Sequence, residues 1–174
     1  MQVYDQVDDH GQDYVTVKWV FSEKKVDDKI SKKARLVARG YEEITATQTD
    51  SPTADKMSSR IALSIIASKG WKMNVLDIKA AFLQGQNLDR EIYLKPPKEA
   101  QCSGKLWRLK RCVYGLNDAS RFWYLRVKEE LTRLECQKSK YDSALFMYHT
   151  EELEGILVAH VDDFLWAGTD SFYL

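Results

Sequence analysis

Apolar and polar residues alternate along several short stretches of the chain, and this pattern predicts β-strands. The clearest stretch is 14–21 (YVTVKWVF), which is rich in β-branched and aromatic residues. A second strand is expected over 34–38 (ARLVA), after a turn over 26–32. Further strands are predicted over 73–78, 91–94, 106–109, 144–148, 155–161 and 164–167, with an acidic turn over 150–154.

Two stretches instead have apolar residues at helical spacing. They cover 58–69, followed by Gly70 as a typical helix stop, and 117–134. Ser51 and Pro52 match the residue types preferred at the start of a helix. Strands interleaved with two helices predict an α+β domain with a mainly antiparallel sheet. No glycine-rich phosphate loop follows a strand, which disfavours a Rossmann or P-loop fold.

Composition limits the class of protein further. The chain has 174 residues, 44% hydrophobic and 30% charged, which fits one folded domain covering 1–174. No apolar stretch reaches the roughly 18–20 residues of a membrane span, and the polar start does not resemble a signal peptide. The three cysteines and three histidines form no zinc pattern. These features predict an intracellular, cytoplasmic protein with reduced cysteines and no membrane partner.

Charge is distributed unevenly although the formal net charge is zero. The zero total argues weakly against a nucleic-acid-binding protein. Two groups of cations nevertheless contain no acid: Lys29, Lys32, Lys33, Arg35 and Arg39, and then Lys105, Arg108, Lys110 and Arg111. Either group could hold phosphates, and two ordinary solvated faces are an equally good interpretation of the charges alone.

Three acidic residues occur in apolar surroundings. Asp162 and Asp163 interrupt GILVAHVDDFLWAG, the most apolar segment, and Asp77 follows an apolar run. A buried carboxylate is costly unless it is paired or binds a metal ion. Together the three acids predict a carboxylate cluster for two Mg²⁺ ions, with Mn²⁺ as an alternative. The competing interpretation is a water-exposed turn at 162–163 and a strand-end acid at 77.

Six motifs occur in the order seen in one known family: WVF at 19–21, KARLVARGY at 33–41, VLDIKAAFLQG at 75–85, EIYLKPP at 91–97, LKRCVYGLNDASRFWY at 109–124 and AHVDDFLWAG at 159–168. Over residues 14–170 the chain resembles the reverse transcriptase domain of Ty1/copia-type retrotransposons. The resemblance implies a right-hand polymerase fold with fingers and palm, and transfer of deoxynucleotides to a primer 3′-hydroxyl on an RNA or DNA template. It also implies a Gag-Pol polyprotein context, a cytoplasmic virus-like particle for an intact element, and a thumb, connection and RNase H region that we expect to be absent from this chain.

The same resemblance assigns roles to individual residues. Asp77, Asp162 and Asp163 match the catalytic, metal-binding aspartates, the last two in place of the family's YVDD pair. The residues expected at the incoming nucleotide are Lys33, Arg35, Phe82, Tyr114 and Gly115, with Phe82 as the ring that excludes a ribose 2′-hydroxyl. Spacing alone favours Phe82 as a core side chain. Nucleic-acid contacts are expected from Lys105, Arg108, Lys110, Arg111 and His160, where His160 replaces the usual tyrosine and could stack near the primer end.

Some positions depart from the family pattern. GLNDASR stands where the family commonly reads GLKQAPR, so that Asn117 loses a cation and Asp118 adds an acid near the expected phosphates. The segment 50–59 (DSPTADKMSS) is also altered. These departures suggest drift in a decaying copy, or a divergent active element. We consider three hypotheses for the function. The chain is a polymerase domain whose processive synthesis is weak because the thumb is expected to be absent, a catalytically dead remnant that binds nucleic acid, or a product with no selected function.

Overall fold

A computed structural model describes residues 2–26, 29–44 and 47–173. Within these residues the chain forms two α-helices, ten strands and four short 3₁₀ turns. The helices are α1 (Lys56–Lys69) and α2 (Ala119–Arg133). The strands are β1 (Tyr4–Asp8), β2 (Val17–Val26), β3 (Lys29–Ala38), β4 (Asn74–Asp77), β5 (Tyr93–Leu94), β6 (Lys105–Leu109), β7 (Gln137–Lys138), β8 (Leu145–His149), β9 (Leu153–His160) and β10 (Asp163–Gly168).

The chain divides into two compact units, each built from two separate segments. Unit 1 contains Met1–Thr49 and Phe82–Phe122, and unit 2 contains Asp50–Ala81 and Trp123–Leu174. The expectation of one domain over 1–174 stays a prediction.

Unit 1 contains a three-stranded sheet in the order β1-β6-β5 and a separate hairpin of β2 and β3. Every strand pair is antiparallel. Its core gathers apolar residues from both chain segments: Val15, Ala38, Ile92, Leu94, Leu109, Cys112, Leu116, Ala119 and Phe122. Ala38 at the end of β3 and Val17 at the start of β2 pack on this core, whereas the described side chains nearer the hairpin turn are exposed.

Unit 2 contains a five-stranded antiparallel sheet in the order β4-β10-β9-β8-β7. Helix α1 packs on it through a cluster that includes Ala62, Ile66, Ile156 and Val158. Successive side chains of a strand point to opposite faces, so Phe164 of β10 points away from Leu165, which packs with the α1 cluster. On that opposite face the Trp123 ring of α2 contacts the Phe164 ring edge-on, with 6.5 Å between ring centres. Strand β9 is therefore covered on both sides, which explains its continuous apolar sequence.

Most predicted elements are present: both helices, the mainly antiparallel sheets, and a strand at each predicted position. The predicted turn over 26–32 is too long, because β2 continues to Val26 and β3 begins at Lys29; residues 27 and 28 lie outside the described residues. Strands β1 and β7 were not predicted. Both are short and polar and give no apolar alternation.

The start of α1 is also corrected. Ser51 and Pro52 precede the helix, and its N-cap is Asp55, whose side chain accepts hydrogen bonds from the backbone N–H groups of Met57 and Ser58. At the other end Gly70 adopts the left-handed conformation, with φ of 64°. The altered segment 50–59 thus supplies a functioning helix cap.

Two general expectations concern the chain as a whole. No described helix combines the length and apolar character that a membrane crossing requires. Cys102, Cys112 and Cys136 are all unpaired, and the last two are buried.

Candidate active site

Two of the three predicted aspartates lie opposite each other in the sheet of unit 2. Asp163 begins β10 and Asp77 ends β4, and the antiparallel register pairs these two residues. Side chains at directly opposed positions point to the same face, with Cβ atoms roughly 4.5–5.5 Å apart. Asp162 is the neighbouring turn residue, and its carbonyl oxygen accepts a 2.9 Å hydrogen bond from the Ile78 N–H. Asp77 and Asp163, which are 86 positions apart in sequence, are thus brought together.

The turn that carries Asp162 has an unusual backbone. His160 pairs with Asp163, so that Val161 and Asp162 form a two-residue hairpin loop. Val161 has φ of 57°, a left-handed conformation that β-branched residues rarely adopt. The indole N–H of Trp123 donates a 2.7 Å hydrogen bond to the Val161 carbonyl oxygen and anchors the turn to α2. Backbone strain of this kind is concentrated at functional sites.

The three carboxylates are exposed, and the sequence argument from burial was wrong on this point. Strand β4 is an edge strand, and Asp162 and Asp163 lie at a hairpin tip, so that water reaches all three side chains. Among the described residues, none of the three carboxylates has a hydrogen-bonding or ionic partner. In the described part of the chain, no three His, Cys, Asp or Glu side chains lie close enough together to hold a metal ion as they stand.

Like charges directly opposed across two strands destabilise a sheet. Asp77 and Asp163 form such a pair at the end of β4 and β10, and no described cation compensates it. Mg²⁺ typically takes one or two protein carboxylates and completes its shell with water and substrate phosphates. An open pair of carboxylates therefore fits a divalent cation better than it fits a structural role.

His160 extends this row across a third strand. It ends β9 opposite Asp163, so that His160, Asp163 and Asp77 occupy adjacent strands in register. The imidazole is exposed. Its predicted stacking on the primer end remains a prediction.

Unit 1 brings three of the predicted nucleotide-binding residues together. The guanidinium of Arg35 lies 5.6 Å from the centre of the Tyr114 ring, and that ring meets Phe82 edge-on at 5.3 Å. Lys33 is two residues before Arg35 on β3 and shares its face of the hairpin. Phe82 is half-buried and also packs on the core of unit 1, so both of its proposed roles are compatible with its place.

Gly115 serves close backbone packing. Its φ is 93°, and a Cβ atom there would lie 2.1 Å from the Ala38 carbonyl oxygen. The Ala38 N–H donates to the Tyr114 carbonyl oxygen at 2.7 Å, and the Gly40 N–H to the Gly115 carbonyl oxygen at 3.1 Å. Glycine is needed here because β3 itself approaches the Tyr114–Gly115 backbone.

The second basic group does not present free cations. Lys105 forms an ion pair with Asp8, and Lys110 pairs with Asp5 at 2.8 Å. Arg108 lies 3.6 Å from Asp5 and 3.9 Å from Glu91, and Arg111 donates to the backbone carbonyl oxygens of residues 84 and 85. Two of these acids, Asp5 and Asp8, come from β1, which pairs with β6. Nucleic-acid binding by this group stays a prediction, and these ion pairs weaken the argument for it.

The departures from the family pattern have specific partners. Asn117 donates a 3.1 Å hydrogen bond to the Gly40 carbonyl oxygen. Asp118 is buried and forms a 2.6 Å ion pair with Arg90, which also bonds Glu43 at 2.7 Å. Whether these departures reflect drift or a divergent active element stays a prediction. Sequence reasoning missed Glu43 and Arg90, since nothing in their local sequence indicates burial.

Comparison with known proteins defines the class. Residues 1–174 match the family described as reverse transcriptase (RNA-dependent DNA polymerase). Among curated proteins, the chain is 34% identical over 169 residues to the retrovirus-related Pol polyprotein from transposon TNT 1-94 of Nicotiana tabacum, covering 92% of this chain and 13% of that protein. It is 32% identical over 168 residues to the corresponding polyprotein from transposon RE2 of Arabidopsis thaliana, covering 92% of this chain and 12% of that protein.

A more distant match agrees with these two. The chain is 32% identical over 104 residues to the truncated transposon Ty1-A Gag-Pol polyprotein of Saccharomyces cerevisiae, covering 58% of this chain and 9% of that protein. No solved structure matches the chain. The chain belongs to the reverse transcriptase (RNA-dependent DNA polymerase) family, and its curated relatives are Pol polyproteins of copia-type retrotransposons. It spans about an eighth of the length of the curated relatives it matches.

Proposed function

We propose that this chain carries the polymerase centre of a copia-type reverse transcriptase and transfers deoxynucleotides to a primer 3′-hydroxyl. The observation that supports it most is the register that sets Asp77 opposite Asp163, next to Asp162 on the turn. These carboxylates have no other described partner to neutralise them. The right-hand fingers-and-palm fold, with unit 2 as palm and the β2–β3 hairpin in the fingers, is part of the proposal.

Asp77, Asp162 and Asp163 would hold two divalent cations, Mg²⁺ or Mn²⁺. Such ions, when bound, make a hydroxyl a better nucleophile and stabilise the charge on a leaving pyrophosphate. The exposure of the carboxylates leaves room for substrate oxygens to complete the coordination shell.

In unit 1, Arg35 and Lys33 would bind the triphosphate of the incoming nucleotide. A guanidinium donates two parallel hydrogen bonds to phosphate oxygens, so Arg35 is expected to contribute more than Lys33. The Tyr114 ring holds the Arg35 guanidinium from one side, and Phe82 supports that ring. A rigid Phe82 ring also suits the exclusion of a ribose 2′-hydroxyl.

The test is addition of a single deoxynucleotide to a DNA primer on an RNA template, with Mg²⁺ or Mn²⁺. Asp163→Asn and Asp77→Asn should each lower the rate on the order of 100-fold or more, because each removes a cation ligand. Asp170→Asn, an exposed acid of the same unit, is the control and should leave the rate unchanged. Weakened Mn²⁺ binding in Asp163→Asn, measured by electron paramagnetic resonance, should accompany the loss. Full activity in Asp163→Asn would refute the metal role.

A non-catalytic nucleic-acid-binding remnant is the second candidate. It is favoured by the exposed cations of β2 and β3 that share one face, Lys18, Lys33 and Arg35, with no acid on that face among the described side chains. This function predicts binding of a primer–template that Asp77→Asn leaves intact and Arg35→Ala weakens, together with no nucleotide addition by the unmodified chain.

A further inference from the structure

A buried group of three charged side chains lies in unit 1. Arg90 places Nε 2.7 Å from Oε1 of Glu43 and Nη1 2.6 Å from Oδ2 of Asp118. The side chains of the two acids are 8% and 2% exposed, and that of Arg90 is 17% exposed. Oδ1 of Asp118 also faces the Cys112 thiol at 3.6 Å. We call Glu43, Arg90 and Asp118 the ionic triad.

The ionic triad is a costly way to fill a protein interior. It sets two carboxylates against one guanidinium, and neither Oε2 of Glu43 nor Nη2 of Arg90 has a hydrogen-bonding partner among the described residues. Burial disfavours the charged form of Arg90, but its hydrogen bonds to Glu43 and Asp118 outweigh that effect and raise its pKa above the usual value. Apolar side chains of similar volume commonly stabilise a fold at least as well as buried ion pairs do. Apart from its effect on stability, the triad imposes a geometry on the backbone segments that carry it.

The triad connects two chain segments that lie side by side: residues 38–43, which contain Glu43, and residues 112–118, which contain Tyr114 and Asp118. Glu43 follows the segment in which Ala38 and Gly40 donate backbone hydrogen bonds to residues 114 and 115. Asp118 follows Tyr114 by four residues and immediately precedes α2, where its carbonyl oxygen accepts a 3.0 Å hydrogen bond from the Phe122 N–H. Arg90 comes from a third segment and bridges the two acids. Its planar guanidinium binds the two carboxylates with different nitrogens, which a lysine ammonium cannot reproduce.

The position of the Tyr114 ring depends on the same two segments. Arg35 lies over this ring, and Phe82 contacts its edge. A shift of residues 112–118 relative to β3 would separate the ring from Arg35, which is fixed to β3 itself. Arg90 touches none of Arg35, Tyr114 or Phe82 through a described ion pair or ring contact, so it can act on them only through the backbone.

We propose that Arg90 is a positioning residue for nucleotide binding: through Glu43 and Asp118 it holds the Tyr114–Gly115 backbone against β3, and so keeps Tyr114 beneath Arg35 for contact with a deoxynucleoside triphosphate. The substrate class rests on the function proposed above, whereas the positioning itself does not.

Arg90→Lys tests the proposal because it keeps the positive charge but removes the planar guanidinium that binds both carboxylates at once. Hydrogen exchange measured by NMR should become at least about tenfold faster at the Ala38 and Gly40 amides, which bond residues 114 and 115. The Ala159 amide, which bonds Ala144 within unit 2, should be unaffected. Fluorescence titration with mant-dATP should show affinity lowered at least about fivefold, with cooperative thermal unfolding retained. Arg133→Lys, at an exposed ion pair of α2, is the matched control and should change neither quantity.

Glu43→Gln is a second variant in case Arg90→Lys does not fold, because it keeps the close ion pair of Arg90 with Asp118 and removes only one of the two buried acids. It should reproduce the faster exchange at Ala38 and Gly40. Unchanged exchange and affinity in a folded variant would overturn the proposal. Faster exchange without any loss of mant-dATP affinity would overturn the link to the nucleotide and leave a purely structural triad. If the unmodified chain does not bind mant-dATP in a way that requires Arg35, the proposed nucleotide site fails, and the exchange data still decide the positioning.

Discussion

At the scale of single residues, the hairpin tip at 161–162 is the most unusual part of the backbone near the candidate site. A valine in the left-handed conformation costs about 1–2 kcal/mol relative to an ordinary backbone geometry. Val161 retains it because β9 and β10 are paired on both sides of the turn and Trp123 holds its carbonyl oxygen. Asp162 is held beside the paired Asp163 by this turn and by the hydrogen bond from Ile78 to its carbonyl oxygen.

Val161→Gly should therefore leave the free energy of unfolding within about 1 kcal/mol of the unmodified value. Glycine relieves the strain, which offsets the entropy it adds to the unfolded chain. Val158→Gly, in the buried centre of β9, is the comparison and should lose at least about 3 kcal/mol through lost packing. Urea denaturation measures both. Equal losses in the two variants would show that position 161 is not strained.

At the scale of secondary structure elements, a buried aspartate joins α1 to β8. Asp142 accepts hydrogen bonds from the backbone N–H groups of Asp55 at 3.0 Å and of Ala144 at 2.8 Å, and from the Ser58 hydroxyl. Burial acts to raise the pKa of Asp142, but these hydrogen bonds outweigh it and hold the pKa below its usual value. The start of the helix is thereby fixed to the start of the strand.

A lowered pKa means that the folded state favours the ionised form of Asp142. The resulting stabilisation is complete above the unfolded-state pKa of about 3.9 and is lost as pH falls through the folded-state pKa. Asp142→Asn should cost about 2–3 kcal/mol at pH 7, as expected for buried hydrogen bonds to a charged acceptor. Urea denaturation at pH 7 and below pH 4 should show this difference shrinking with acidity. A difference independent of pH would contradict the assignment.

At the scale of the whole molecule, a net charge of zero conceals an uneven distribution. The cations of β6 and the residues after it are balanced by Asp5 and Asp8 of β1. Arg35 and Lys33 are exposed on the hairpin with no described ion pair. The hairpin is therefore the surface best suited to phosphates.

The double variant Lys33→Ala/Arg35→Ala should lower the affinity for a primer–template and reduce the slope of log K against log salt concentration by about 2, roughly one for each lost phosphate contact. Lys105→Ala/Arg108→Ala is the control. It should change the slope little, because its cations already have carboxylate partners. Fluorescence anisotropy over a series of salt concentrations measures both. A larger effect from the control pair would place the nucleic-acid interface on β6 instead.

Much of this protein could be predicted from local sequence. The spacing of apolar residues located both helices and most strands. Side chains return to the same face every 3.6 residues in a helix and every 2 residues in a strand, so this spacing can be recognised within one short segment. The six motifs indicated the family, and the family match confirms it. Local patterns failed where an element is short and polar, as in β1, or where an acid at position 55 rather than a serine at position 51 capped the helix.

The tertiary structure alone decided which distant residues meet. Strand register makes Asp77 and Asp163 neighbours. Pairing of β1 with β6 gives the cations after position 104 acidic partners, such as Asp8 for Lys105. Glu43, Arg90 and Asp118 became a buried triad although each occurs in a polar stretch of sequence. Periodicity describes one segment at a time, whereas partners and burial depend on how segments far apart in the chain pack, and for that reason the sequence by itself could name the three aspartates but not their exposure or their arrangement.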